Sequence, residues 1–327
     1  MVTSKSYVGA LVRPEGSPAT SVGCVAGRWL VPDALVGRMS STPETSAWLD
    51  RLPALAEQLA GRWGLRPDGP AWSGFLSAVW PVQDATGALL VLKVVYPDPK
   101  THAEAAALRA WSGLGTVRCL SEDRARNALL LERLDGDASL EGFPDIDAAC
   151  AVIGAILVRL HGVAPLTGVR TVAAESLEVS AQTRALAARH PTLLPRRAVD
   201  QAQATLAELQ APQPQWLLHA DCHFSNVLRT VDGAGWRAID PLPTAGPREW
   251  ELLPILRNRW PDAAVTGDPE RALRRRVDQL CETLGADAAY ARRLAQAASV
   301  AMLLDLLPTD PTHFFVPALQ QMLHWSG

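Results

Sequence analysis

The first 135 residues carry short apolar runs broken by Gly and Pro. SAVWPV (77–82), ALLVLKVVY (88–96) and ALLLERL (128–134) have the length and side-chain content of strands. Beyond them the apolar period lengthens to that of amphipathic helices, in IDAACAVIGAILVRLHGV (146–163), RAVDQAQATLAELQ (197–210), PERALRRRVDQLCETLG (269–285) and AAYARRLAQAASVAMLLDLL (288–307). The pattern predicts an α+β protein: a small antiparallel-sheet lobe followed by a larger, mainly helical one. SYVGALV and SVGCVAGRWLV, within residues 1–30, read as a hairpin or a loose extension and receive no role.

Composition narrows the function classes. Of 327 residues 48% are apolar and 20% charged, which excludes a disordered chain, and the formal charge of −3 argues against nucleic acid or an anionic membrane as partner. No apolar stretch reaches the roughly 18–20 residues of a membrane span. Five scattered cysteines without a C-x-x-C pair favour reduced thiols in a cytoplasmic protein. Only Lys5, Lys93 and Lys100 are lysine among 31 basic residues, so a lysine inside an apolar run stands out.

The most specific segment is LLHADCHFSNVLRTVDGAGWRAIDP (217–241). VLRT and WRAI flank a turn at Asp232-Gly233, and Asn226 and Asp240 each lie seven residues from Gly233. A hairpin there brings those two side chains together at its open end, with Asp221 on the loop just before it. Two carboxylates and a carboxamide supply hard oxygen ligands for Mg²⁺ and one base beside them, the set that phosphoryl transfer requires. The rival readings are a solvated loop whose Asp and Asn cap turns, and a zinc site built from His219, Asp221, Cys222 and His223, which lack a recognised ligand spacing.

Lys93 sits among Leu and Val, where a charge needs a partner. In THAEAAALRAWSGL, Glu104, Leu108 and Trp111 share one helical face, so Glu104 lies on the inward stripe. A strand lysine paired with a helix glutamate can hold nucleotide phosphates; the alternative is a solvated edge lysine. Upstream, the turn Ser73-Gly74-Phe75-Leu76-Ser77 is a candidate phosphate-covering loop or an ordinary β-turn.

HADCHFSNVL, IDP followed by AGPREWELLP, VLKVVYP, AEAAALRAW and LLLERLDGD together resemble the aminoglycoside phosphotransferases, and among them the streptomycin and hydroxyurea phosphotransferase branch, over about residues 31–325. The resemblance implies a two-lobed protein-kinase-like fold: an extension over 1–30, a nucleotide-binding lobe and hinge over 31–134, and a helical lobe over 135–327 with the catalytic loop and acceptor site. It implies ATP (or GTP) and Mg²⁺ as cofactors, and a small, cationic, hydroxylated acceptor. By position Asp221 is the base, Asn226 and Asp240 the metal ligands, Lys93 the phosphate-binding residue and Glu104 its partner. Backbone from Glu132 to Leu134 would meet adenine, while Ser73, Gly74 and Ser77 stay candidates for a loop over the phosphates, with the ordinary β-turn as the alternative. Glu249, Trp250 and Glu251 are candidates for the acceptor side. The chain departs from the family at Ala220, Cys222 and Gly246-Pro247-Arg248, close to that side. A kinase of another metabolite (hydroxyurea, a sugar, an antibiotic precursor) and a catalytically weak nucleotide-binding module are the competing functions.

Overall fold

The computed structural model describes residues 29–99 and 101–325, so the N-terminal extension lies outside the described residues except for Trp29 and Leu30. The chain divides into two units. A sheet unit runs to Asp135 and takes in Arg229–Gly235; a helical unit comprises Gly136–Leu228 and the chain from Trp236.

In the sheet unit, α1 (Asp33–Met39) and α2 (Pro43–Trp63) precede β1 (Arg66–Pro67), β2 (Trp72–Ser73), β3 (Ser77–Gln83), β4 (Leu89–Val95), α3 (Glu104–Trp111), β5 (Cys119–Asp123) and β6 (Ala128–Glu132). The strand order is β1-β3-β4-β6-β5, with β2 paired to β3. Alternation along the strands sends Ala78, Trp80 and Val82, Leu90, Leu92 and Val94, and Ala128 and Leu130 into one core cluster with Leu52, Ala56 and Leu59 of α2. The two-residue period therefore turns Lys93 to the opposite face. The register sets it between Val79 of β3 and Leu129 of β6, in the middle of the sheet. The sequence pattern foresaw one helix in this lobe, α3. The further pair has clear local signals: the Thr42 hydroxyl accepts from the Thr45 N–H, Pro43 occupies the first turn, and Gly64 closes α2 at φ 65°.

β7 (Leu134–Ser139) leads into the helical unit. There follow α4 (Ile146–Leu160), β8 (Arg170–Thr171), α5 (Val172–Arg189), α6 (Arg196–Glu208), β9 (Trp216–Leu218), β10 (Val227–Thr230), β11 (Trp236–Ala238), β12 (Thr244–Gly246), α7 (Leu252–Arg257), α8 (Trp260–Ala264), α9 (Pro269–Leu284), α10 (Ala288–Leu306) and α11 (Val316–Met322). α10 packs against α5, α6, α7, α9 and α11, which is why even its polar Gln296 and Ser299 are buried. Gln296 Nε2 donates to the Ala198 and Leu323 carbonyls at 3.1 and 3.3 Å, tying α6 and the end of α11 to α10. β12 pairs with β8 on one side and β9 on the other. Only glycine fits at Gly246, where an added Cβ would lie 2.2 Å from Val172 Cγ2. This small sheet sets the chain leaving β9, which carries His219 and Asp221, beside the chain leaving β12, which carries Glu251.

Candidate active site

In the helical unit the loop between β9 and β10 is held from several directions. The Glu251 carboxylate is fully buried and accepts the backbone N–H groups of His219 at 2.6 Å and Ala220 at 2.9 Å. His161 Nε2 lies 3.4 Å from the same carboxylate. These bonds hold Ala220 in the left-handed region at φ 60°, a conformation that disfavours a Cβ. The turn points the next side chain, Asp221, at Asn226 and Arg257. Asn226 Nδ2 donates to the Asp221 carbonyl at 2.9 Å and to Oδ2 at 3.3 Å, while Arg257 Nη2 lies 3.4 Å from Oδ1.

The hairpin of β10 and β11 closes as its spacing suggests: the Ile239 N–H donates to the Asn226 carbonyl at 2.9 Å, setting Asp240 beside Asn226. Asp240 also takes a left-handed backbone, φ 56°. Asn226 Oδ1 is buried and has no hydrogen-bond partner. A buried carbonyl oxygen left without a donor is costly unless something electropositive faces it. With the amide NH₂ committed to Asp221, that oxygen together with the Asp240 carboxylate suits a small hard cation such as Mg²⁺. The zinc reading finds no such support. Among the described residues no group of three or more His, Cys, Asp and Glu assembles for a metal, and burial beside Glu251 and Asp221 pushes the Cys222 thiol well above its ordinary pKa.

Burial dominates the electrostatics. It pushes the Asp221 carboxyl up to about 7, with Asp240 and Glu251 adding to the rise and Arg257 and the Asn226 amide opposing it. A carboxylate in that range is suited to take a proton from a hydroxyl near neutrality. His223 is pushed down to about 3 by burial and then by Arg257 and His219. His219 is lowered as well, mainly by burial. Both imidazoles are therefore neutral, and they act as loop hydrogen-bonding groups: His223 Nδ1 meets the Ser225 hydroxyl at 2.9 Å, and His219 Nδ1 accepts the Asp221 N–H at 3.4 Å.

The acceptor-side candidates fare differently. Glu251 is corrected: it has no exposed surface and both its oxygens are on the loop backbone, so it is a support of the His219–Asp221 loop and not an acceptor-side surface residue. Glu249 accepts the Asp287 N–H at 2.8 Å, at the start of α10. Trp250 is half-buried in the turn before α7. Sequence reasoning passed over Arg257. It is a charge in the apolar run LLPILR, the signal that singled out Lys93, and it was hidden because all but three of the 31 basic residues are arginine.

Within the sheet unit, Lys93 Nζ lies 2.5 Å from Glu104 Oε1, and both residues are 4% exposed. The solvated-edge alternative for Lys93 is therefore excluded. Ser73 pairs with Ala78, and Gly74 N–H donates to the Ser77 carbonyl at 2.9 Å, closing a tight β2–β3 turn with Ser77 buried. Arg38 donates to the Gly74 carbonyl at 2.7 Å. The Glu132 carboxylate takes the Arg118 N–H and guanidinium at 2.9 and 2.6 Å, and Leu134 is buried.

Residues 62–303 match a family model described as aminoglycoside/hydroxyurea antibiotic resistance kinase. This chain belongs to that family. It is 41% identical to a streptomycin 6-kinase of Streptomyces glaucescens, over 76% of this chain and 80% of the relative. It is 39% identical to a hydroxyurea phosphotransferase of Kitasatospora aureofaciens, over 64% of this chain and 62% of the relative. The family places the chain among phosphotransferases with small-molecule acceptors. Among solved structures, a macrolide 2'-phosphotransferase of Brachybacterium faecium superposes with a TM-score of 0.53 at 17% identity, over 85% of this chain and 99% of that one. A thermostable mutant of the aminoglycoside phosphotransferase APH(4)-Ia also gives 0.53, at 16% identity over 81% and 96%. The fold is thus the α+β, protein-kinase-like fold of these enzymes. No described helix is long and apolar enough to cross a membrane.

Proposed function

We propose that this kinase transfers the γ-phosphoryl group of ATP to a hydroxyl of an aminoglycoside, with streptomycin as the acceptor to test first, and that Mg²⁺ assists. The carrying observation is the buried Asp221 carboxylate, gripped at both oxygens, beside an Asn226 carbonyl oxygen that lacks a donor. The activities named for the 41%-identical and 38%-identical streptomycin 6-kinases support the choice of acceptor.

In this reading Asn226 and Asp240 hold the cation, whose charge offsets that of the phosphates. Lys93, fixed by Glu104, binds phosphate oxygens. Asp221 accepts the acceptor's hydroxyl proton as the new O–P bond forms at the γ-phosphorus and the bond to the β–γ bridging oxygen breaks, releasing ADP. The pinned loop keeps the carboxylate oriented, so no barrier is spent on aligning it. The cysteines, buried with raised pKa at Cys150, Cys222 and Cys281, have no part in the chemistry.

The test is ADP release with streptomycin, hydroxyurea or water as acceptor, with ATP and GTP compared, and product mapping by mass spectrometry and NMR. Streptomycin-dependent release giving a phosphorylated product is expected; release equal to the water blank excludes this acceptor. Asp221→Asn should bind ATP as the parent does while kcat falls ~10²–10⁴-fold, and full turnover by that variant would remove Asp221 as base.

A further inference from the structure

Three arginines are buried in the helical unit near this loop, and they are served differently. Arg259 donates to the Leu140 and Phe143 carbonyls at 3.0 and 2.8 Å and forks onto Asp262. Arg276 donates to the Asn258 and Arg259 carbonyls at 3.2 and 3.1 Å. Those two are staples between segments. Arg257 is as buried, at 6% exposure, yet it has the Met302 sulfur at 3.7 Å, the face of Phe315 at 4.7 Å and, as its ion-pair partner, Asp221 Oδ1 at 3.4 Å. Its Nε has no hydrogen-bond partner. A buried guanidinium this sparsely solvated is a poor stabilising device, since desolvation outweighs one long ion pair. Such a conflict belongs where function requires it.

We propose that Arg257 is a positioning residue for phosphoryl transfer: its guanidinium, roofed by Phe315, holds Asp221 Oδ1 while Asn226 holds Oδ2, so that the carboxylate cannot rotate away from the acceptor hydroxyl. The inference rests on Asp221 being the base. Two points of attachment on opposite oxygens fix the plane of a carboxylate; Asn226 alone leaves it free to turn about its last bond. The Phe315 ring covers the face of the guanidinium and the Met302 sulfur accepts from Nη1, which leaves Nη2 to Asp221.

The experiment is a double-mutant cycle on the full chain with streptomycin, hydroxyurea and water as acceptors. Arg257→Gln should lower kcat by roughly 10–100-fold with the KM for ATP changed less than about 3-fold, because an interaction serving the reacting group is lost and nucleotide binding is not. Arg257→Lys should recover part of that loss. In the Asp221→Asn background Arg257→Gln should add less than about 2-fold, since there is no base left to orient. A role confined to stability gives the opposite result: kcat per folded molecule within about 2-fold of the parent, or equal losses in both backgrounds, and either overturns the proposal. If Arg257→Gln does not fold, Arg257→Lys is carried through the same cycle with the same criteria. Full turnover by Asp221→Asn alone instead defeats the base assignment, so the two failures are distinguishable.

Discussion

Replacing Glu251 with glutamine keeps the side chain's size and removes its charge. Both carboxylate oxygens now accept backbone N–H groups, His219 at 2.6 Å and Ala220 at 2.9 Å, with no exposed surface to admit water. An amide offers one oxygen, so one bond survives in weaker, neutral form and the other N–H faces an NH₂. Losing a charge-assisted bond of ~1.5–3 kcal/mol and leaving a buried donor unmet at ~1–3 kcal/mol give a combined loss near ~3–5 kcal/mol. Release of Ala220 from φ 60° returns roughly 1 kcal/mol of backbone strain. The net expectation is a destabilisation of ~2–4 kcal/mol, a large share of the ~5–15 kcal/mol typical of a folded protein. Urea unfolding followed by circular dichroism measures it. Because the same bonds aim Asp221, kcat per folded molecule should also fall at least ~10-fold. A loss below about 1 kcal/mol with unchanged kcat would show that the loop holds its shape without Glu251 and would refute this account.

Ala220→Gly should relieve the left-handed strain at φ 60° and, after the greater entropy of the unfolded glycine chain is subtracted, raise stability by ~0.5 kcal/mol; calorimetry reads the rise in Tm, and a fall of several degrees would mean the Cβ makes a needed contact. Lys93→Met removes the cation facing the buried Glu104 carboxylate, so a loss of ~3–5 kcal/mol and ATP binding weakened at least ~10-fold are expected by melting and titration; an unaltered Tm contradicts a buried pair. His223 stays neutral in the fold to about pH 3, whereas an unfolded imidazole protonates near 6.5. The unfolded chain therefore holds the extra proton in that window, and this group's contribution, complete above pH 6.5, declines as pH falls, by up to ~1.4 kcal/mol per unit. Asp221, held protonated up to about 7, works in the opposite sense. The quantity to measure is thus the difference in pH slope between the parent and His223→Gln from pH 5 to 6.5; equal slopes would show an imidazole that titrates normally.

Local order along the chain determined a good deal. The two-residue period laid out β3, β4 and β6 and the three-to-four period laid out α4, α6, α9 and α10, because side-chain direction in a strand or helix follows from backbone geometry alone. The same logic drew attention to Lys93, since a charge within an apolar strand implies a partner, and to Asn226 and Asp240, since equal distances from a turn become neighbours in a hairpin. Tertiary structure decided what no period encodes. That Glu251 faces inward onto the His219 loop depends on β12 lying beside β9, a pairing across more than 20 residues. That Arg257 reaches Asp221 depends on α7 being brought within 3.4 Å of the loop, with the Phe315 ring, 58 residues further along the chain, against the guanidinium. Long-range contacts of this kind are chosen by packing and by the need to satisfy buried charge. A glutamate or arginine whose partner no local pattern names becomes a support for the site only once the chain has closed around it.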